Sequence, residues 1–245
     1  MSTVRKGILV PSLATLVAFG ILVSLGQWQL YRKVWKETLI DSMTRRIAAA
    51  PEELPPPEQW NTLTPDNAEF RRVKLHGDFL PVRDTYAYVA GSALRTDIKD
   101  PGYFVFRPAK LANGKLVAVN RGYVPLEYMN QTPAGPADIV GYIRFPEKPS
   151  MFVTDASSDG DTWFVRDPVA MAKARGWGEV APFYIDQESP VPAGGLPRPS
   201  ALVVMLRDDH LGYALTWFGL AGTLAGVYIA WLIGRWRQAR AEGQA

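Results

Sequence analysis

The sequence predicts a membrane protein in which two transmembrane α-helices flank one mainly antiparallel, barrel-like α+β domain outside the membrane. Two observations predict the helices: an uncharged apolar run lies near each end of the 245-residue chain. A third predicts the domain: short segments rich in valine and aromatic residues follow one another between these runs. The chain has no cysteine, which excludes disulfides, zinc–thiolate sites and cysteine nucleophiles.

The two apolar runs are residues 7–31 and 211–234, and each is long enough to cross a hydrocarbon layer as a helix. Aromatic side chains typical of membrane interfaces stand at their ends: Trp28, Tyr31, Trp35, Trp231 and Trp236. Residues 7–31 do not end in a small-residue cleavage site, so we expect an uncleaved anchor rather than a signal peptide. Two spans place the tails 1–6 and 235–245 on one side of the membrane and residues 32–210 on the other; cytoplasmic tails are what the resemblance described below implies.

The net charge of +3 belongs mainly to the two tails, and the region between the spans is nearly balanced. This distribution disfavours a nucleic-acid surface on the domain. Basic tails fit a cytoplasmic location, but basic residues also crowd the other end of the first span: Arg32, Lys33, Lys36, Arg45 and Arg46. Charge alone therefore does not decide the orientation.

The segment after the first span lacks proline until residue 51 and predicts a helix that leaves the membrane. Trp28, Arg32 and Trp35 share one face of it, which fits either an interfacial anchor or a docking face for a partner membrane protein. Residues 51–57 (PEELPPP) predict a stiff, extended linker.

The predicted strands of the domain are 71–79, 85–89, 103–110, 115–124, 139–145, 162–166 and 183–187. Asn113-Gly114 predicts a hairpin between two of them. Residues 169–175 predict a short helix that Gly176 ends. Residues 189–200, rich in proline and glycine, form the return linker to the second span.

Enzyme motifs are absent from the sequence: it has no phosphate loop, no nucleophile elbow and no paired-histidine zinc motif. We therefore expect no catalytic activity. Of the two histidines, His76 lies in a predicted strand as a surface residue. Asp155, Asp159 and Asp161 surround a glycine but lack the spacing of a calcium loop, and we interpret them as a solvated loop.

His210 opens the second span, and Tyr213 and Trp217 follow it on one stripe of the helix. A neutral imidazole beside aromatic rings is suited to act as an axial haem ligand. The alternative is an interfacial histidine hydrogen-bonded to lipid headgroups, to Asp208 or to Asp209.

Residues 120–125 (NRGYVP) close a predicted strand. The glycine at 122 indicates a bend or a close approach of another backbone segment. Arg121 and Asn120 fit a binding role or, equally well, the satisfaction of turn carbonyls.

Several short motifs, in order along the chain, together resemble one family: GQWQLYR (26–32), GYFV (102–105), VNRGYVP (119–125), FYID (183–186) and HLGYA (210–214). The resemblance is to the surfeit locus protein 1 family of cytochrome c oxidase assembly factors, and it runs nearly end to end. The sequence departs from the family pattern at two places. It has aspartate at 208 and 209, where the family commonly has an asparagine, and tyrosine at 123, where the family commonly has tryptophan.

The resemblance implies a bacterial inner-membrane protein with its central domain in the periplasm. It implies haem a as the cofactor, bound transiently, with His210 as the ligand to its iron. The implied partners are subunit I of the oxidase, which receives the haem, and haem a synthase as a further candidate. The predicted binding site is therefore His210, Tyr213, Trp217, Trp28, Arg32 and Arg121, with the rings packing on the macrocycle and the arginines pairing with propionates.

Two alternatives differ in class. A scaffold would stabilise an assembly intermediate of subunit I without touching haem. An exported hydrolase would need a pocket that gathers reactive carboxylates such as Asp167 and Asp186, and nothing in the sequence favours it.

Overall fold

The computed structural model describes residues 2–92, 94–128, 132–147, 162–204 and 208–242, and the side chains of 2–6 and 242 are outside that description. The chain divides into two compact units. The helix-pair unit comprises Met1–Ile40 and Leu206–Ala245, and the β-rich unit comprises Asp41–Met205. The aspartates at 155, 159 and 161 lie outside the described residues.

The helices are α1 (Ser2–Ala48), α2 (Pro65–Ala68), α3 (Pro168–Arg175) and α4 (His210–Glu242). Within α1 and α4, Gly7–Ala48 and His210–Ala241 are long and apolar enough to cross a membrane, and 18-residue windows within them reach mean hydropathies of 2.4 and 1.5. Their most apolar windows are 0% and 6% buried inside the molecule, which is unlike the core helix of a soluble protein. The continuation of the first helix beyond residue 31 is confirmed, since α1 runs unbroken to Ala48.

The strands are β1 (Glu52–Glu53), β2 (Arg72–Phe79), β3 (Thr85–Val89), β4 (Gly102–Leu111), β5 (Leu116–Pro125), β6 (Gly135–Arg144), β7 (Thr162–Trp163) and β8 (Val180–Ser189). All seven predicted strands are present, although the one at 162–166 shrinks to two residues. The hairpin at Asn113-Gly114 is confirmed: Gly114 has a φ of 82°, and β4 and β5 pair antiparallel on either side. The linker at 51–57 is partly wrong, because Glu52 and Glu53 pair with Val73 and Lys74 of β2.

The sheet order is β1-β2-β6-β8-β5-β4-β3-β7, and β2 also pairs with β4. Antiparallel pairs are in the majority, but β1–β2, β3–β7 and β5–β8 are parallel. The domain is therefore a mixed, sheet-rich domain. The expectation of a mainly antiparallel sheet is confirmed for most pairs but missed the parallel ones. The pair β5–β8 arises because β8 inserts between β5 and β6, which local patterns do not reveal. The barrel-like closure stays a prediction.

Side-chain burial follows the position of each strand in this sheet. Along β2 buried and open residues alternate, whereas β5 is buried on both faces over most of its length. One core cluster contains Trp60, whose ring meets Phe183 edge-on at 5.5 Å between centroids. A second core cluster lies around Phe106 and Tyr184, 5.2 Å apart. The polar motif residues of β5 and β8 are therefore held in a packed interior.

Candidate functional site

In the helix-pair unit α1 and α4 meet along a seam of side-chain contacts. Ala214 and Ala221 of α4 are 0% and 3% exposed, and Gly26 of α1 is buried. A Cβ atom at Gly26 would lie 2.6 Å from the ring of Phe218, so only glycine leaves room for that ring.

Two polar contacts across the seam hold the register of these antiparallel helices. Near one end the hydroxyl groups of Ser12 and Tyr228 are hydrogen-bonded to each other. At the other end Nδ1 of His210 lies 2.7 Å from Oε1 of Gln29. Ser12 and Gln29 are about 25 Å apart along α1 at 1.5 Å rise per residue, close to the thickness of a hydrocarbon layer.

The contact with Gln29 decides which ring nitrogen of His210 remains available. The amide of Gln29 is oriented with its oxygen toward the ring, and an amide oxygen can only accept a hydrogen bond, so in this orientation Nδ1 of His210 donates the proton. In the neutral ring the lone pair then belongs to Nε2, which is the atom free to accept a proton or bind a metal ion. Asp208 does not touch the ring in this arrangement, since its Oδ1 accepts the backbone N–H of His210 at 3.0 Å.

The sequence interpretation of His210 missed this partner. It offered lipid headgroups, Asp208 or Asp209 as the alternative to a ligand role, whereas the ring contacts Gln29. The signal that could have found it is periodicity: Gly26, Gln29 and Lys33 follow at spacings of three and four, the spacing of a helix seam.

The predicted aromatic residues of the site lie in the same unit, and most are open. Tyr213 and Trp28 are 58% and 53% exposed, and Trp217 is half-buried. The Arg32 guanidinium stacks on Trp35, with Cζ 4.3 Å from the ring centroid. Among the described ring contacts, none joins Trp28, Tyr213 or Trp217 to His210. Their packing on a macrocycle stays a prediction.

Arg121 lies in the β-rich unit, where it is buried. Its Nη1 donates to the carbonyl of Pro133 at 2.7 Å, and its Cζ lies 4.0 Å from the centroid of the Phe79 ring. Burial lowers its pKa to about 10. These contacts match the carbonyl-satisfying alternative for Arg121, and its pairing with a propionate stays a prediction.

The neighbouring residues of the 120–125 motif also hold the fold together. Asn120 donates to Asp186 at 2.8 Å and accepts the N–H of Gly122 at 3.1 Å. Gly122 has a φ of 123°, and a Cβ there would lie 2.3 Å from the carbonyl carbon of Arg198. The expected close approach of another backbone segment at this glycine is confirmed.

The carboxylates that a hydrolase would need make structural contacts. Asp167 caps α3 by accepting two backbone N–H groups. Asp186 lies beside Arg144 at 3.4 Å and accepts from Asn120, and burial raises the pKa of its neighbour Tyr184. Within the described ranges, His, Asp and Glu side chains form no cluster of three or more that could hold a metal ion.

Open grooves also lie in the β-rich unit. One has a volume of about 480 Å³ and is lined in part by Asp97, Lys99, Tyr123 and Arg198. Asp97 is ion-paired with Arg198 at 2.9 Å. The lining of this groove includes none of the predicted site residues, and the nitrogen of His210 is the more distinctive feature.

Comparison with known proteins places nearly the whole chain in one family. The model of the SURF1 family matches residues 16–222, a span that contains every predicted site residue. Surfeit locus protein 1 of Mus musculus is 33% identical over 219 residues, covering 83% of this chain and 68% of its own. The protein of the same name from Homo sapiens is 31% identical over 228 residues, with 85% and 72% covered. A SURF1-like protein of Rickettsia bellii is 30% identical over 223 residues and covers 88% of both chains.

Proposed function

The chain belongs to the SURF1 family, and we propose that it is an assembly factor for cytochrome c oxidase that binds haem a and assists its insertion into subunit I. The two apolar helices are then spans of a bacterial inner membrane, and the β-rich domain is periplasmic. Subunit I and haem a synthase are the protein partners in this proposal.

The observation that carries the haem proposal is the hydrogen bond between Gln29 and Nδ1 of His210. Histidine ligands usually donate their second ring N–H to an oxygen, which fixes the tautomer and the orientation of the ring. His210 has this arrangement before any metal is bound, and its Nε2 carries the lone pair that an iron atom would take. The donor set therefore fits a haem.

The side chains around His210 suit a transient ligand. The exposed rings of Tyr213 and Trp28 and the half-buried Trp217 offer apolar surface, and burial of such surface supplies most of the affinity for a macrocycle. Arg32 provides a cation for a propionate in the same unit. Haem a brings the redox-active iron that the oxidase needs, and an open face allows the protein to give it up.

The test is a haem a titration of the purified full-length protein followed by absorption. Wild type is compared with His210→Ala and, as a matched control, with His76→Ala, because the chain has only these two histidines. His76 is exposed and pairs with Asp138 on the sheet. We expect a Soret band and a red-shifted α-band in wild type and in His76→Ala, and a loss of both bands in His210→Ala.

A wild type that shows no Soret band and no red-shifted α-band of bound haem a in this titration overturns the proposal. If that protein still co-purifies with oxidase subunits, the scaffold alternative takes its place. Unchanged bands in His210→Ala would contradict the ligand assignment alone.

A further inference from the structure

Gln29 is half-buried on α1, facing the first residue of α4. We propose that Gln29 is the positioning residue of the haem site, selecting the Nδ1–H tautomer of His210 so that Nε2 is presented as a lone-pair donor. The positioning role rests on the proposed function, because it is stated toward haem a. The contact itself can be tested on the protein without any cofactor.

The chemistry of imidazole makes such a selection necessary. A free neutral histidine side chain favours the Nε2–H form, in which the nitrogen farther from the backbone carries the proton. That proton has to leave Nε2 before the nitrogen can bind a metal ion. An acceptor fixed 2.7 Å from Nδ1 favours the other tautomer.

The packing around Gln29 explains how the acceptor is held in place. Gly26 lies one turn before it on the same face of α1 and admits the ring of Phe218 from α4. Opposite Gln29, the backbone N–H of His210 is capped by Asp208, so the first turn of α4 is also fixed. The backbone is therefore restrained on both sides of the Gln29–His210 contact.

A glutamine suits this position better than an acidic residue would. Its amide oxygen accepts as a carboxylate does, but it brings no charge into the boundary of an apolar helix pair. Gln27, two residues earlier, is exposed on another face of α1 and provides a matched control.

The experiment is nitrogen NMR of the full-length protein in detergent micelles, with isotope-labelled histidine and no haem. The pH is about 8, above the ordinary histidine pKa of about 6.5. The His76→Ala background removes the only other histidine signal. We expect an unprotonated Nε2 in the parent and in Gln27→Met, and a protonated Nε2 in Gln29→Met. Gln29→Glu, which retains the accepting oxygen, should restore the parent tautomer.

The same variants are then titrated with haem a. Loss of an outer hydrogen bond to a ligating histidine typically costs 10- to 100-fold in metal affinity, so Gln29→Met should weaken haem a binding by about that factor. Gln27→Met should bind as the parent does, and Gln29→Glu should recover most of the lost affinity. Circular dichroism of each variant shows whether the helices are retained.

An Nε2 that is protonated in the parent, or a Gln29→Met variant with the parent tautomer, overturns the inference. A parent that has the expected tautomer and fails to bind haem a instead overturns the proposed function, and the positioning role toward haem falls with it. In that event the tautomer result stands, so the two failures are distinguishable.

Discussion

The helix-pair unit and the β-rich unit use polar side chains in opposite ways. In the β-rich unit Asp84 is 1% exposed and accepts from Arg107, from the hydroxyl of Thr132 and from its backbone N–H. Asp84 and these partners are bonded to one another inside a packed core. In the helix-pair unit His210 uses one nitrogen for Gln29 and has a second nitrogen to offer. The described polar contacts of the domain therefore stabilise its fold, whereas the candidate ligand atom, Nε2 of His210, lies on the helices.

Of the substitutions that distinguish the two units, Gly122→Ala in the β-rich unit is expected to have the largest effect, and this effect is on the free energy of unfolding. A positive φ costs an alanine about 1–2 kcal/mol, and the clash with the backbone of Arg198 adds about 1–3 kcal/mol. We expect the free energy of unfolding of the domain to fall by about 3 kcal/mol, measured by urea denaturation. The folded protein should still bind haem a with unchanged affinity.

Gly114→Ala is the matched control for this substitution. Gly114 also has a positive φ, of 82°, but a Cβ there meets nothing within 4 Å. Gly114→Ala should lower the free energy of unfolding only by the cost of a positive φ for alanine, about 1–2 kcal/mol. If the two alanine variants are equally stable, the close approach of Arg198 is not what requires glycine at 122.

A smaller effect, and one on binding rather than on stability, is expected from Gly26→Val in the helix-pair unit. The added side chain must displace the Phe218 ring or separate the helices, which disturbs the Gln29–His210 contact one turn away. We expect haem a affinity to fall by about tenfold, as for loss of the hydrogen bond itself. Gly20→Val on the same helix, where a Cβ meets nothing within 4 Å, should bind normally. Equal affinity in both variants would mean that the seam does not position His210.

The smallest effect is expected from Arg121→Met. Methionine removes the desolvation cost of the buried cation but leaves the carbonyl of Pro133 without its donor, so the two effects oppose each other and we expect stability near neutral pH to fall by no more than about 1 kcal/mol. Burial lowers the pKa of Arg121 from 12.5 to about 10, so between these values the unfolded chain binds more protons than the folded one. The wild type should therefore gain stability relative to Arg121→Met as the pH rises above about 10, measured by denaturation at several pH values.

The same variant tests the predicted propionate contact of Arg121. Haem a affinity in Arg121→Met should equal that of wild type if its contacts with Pro133 and Phe79 describe its whole role. A large loss of affinity without a loss of stability would instead support the propionate role.

Much of the fold could be predicted from local sequence patterns. The length of the uncharged runs predicted both terminal helices. The short segments rich in valine and aromatic residues and the Asn113-Gly114 turn predicted strands such as β2, β4 and β5 with nearly correct bounds. The parallel pairing of β5 with β8 could not be predicted, because it joins residues far apart in the chain and depends on which strands insert between them. The pairing of Glu52 and Glu53 was hidden by the surrounding prolines.

Less of the site could be predicted, for a physical reason. The position of His210 at the start of the second span is visible in the sequence, and so is its stripe with Tyr213 and Trp217. Its partner Gln29 belongs to another helix, and the pairing depends on the register that Gly26 and Phe218 set. Arg121 was selected by charge and motif, which do not reveal that its guanidinium is buried against Phe79.

The proposal that Nε2 of His210 binds the iron is tested by pulsed EPR of ferric haem a bound to the full-length protein. Histidine is isotope-labelled at Nε2 alone or at Nδ1 alone, in the His76→Ala background so that one histidine remains. We expect a strong hyperfine coupling to the iron only when Nε2 carries the label. A strong coupling from labelled Nδ1, or none from either nitrogen, would contradict it.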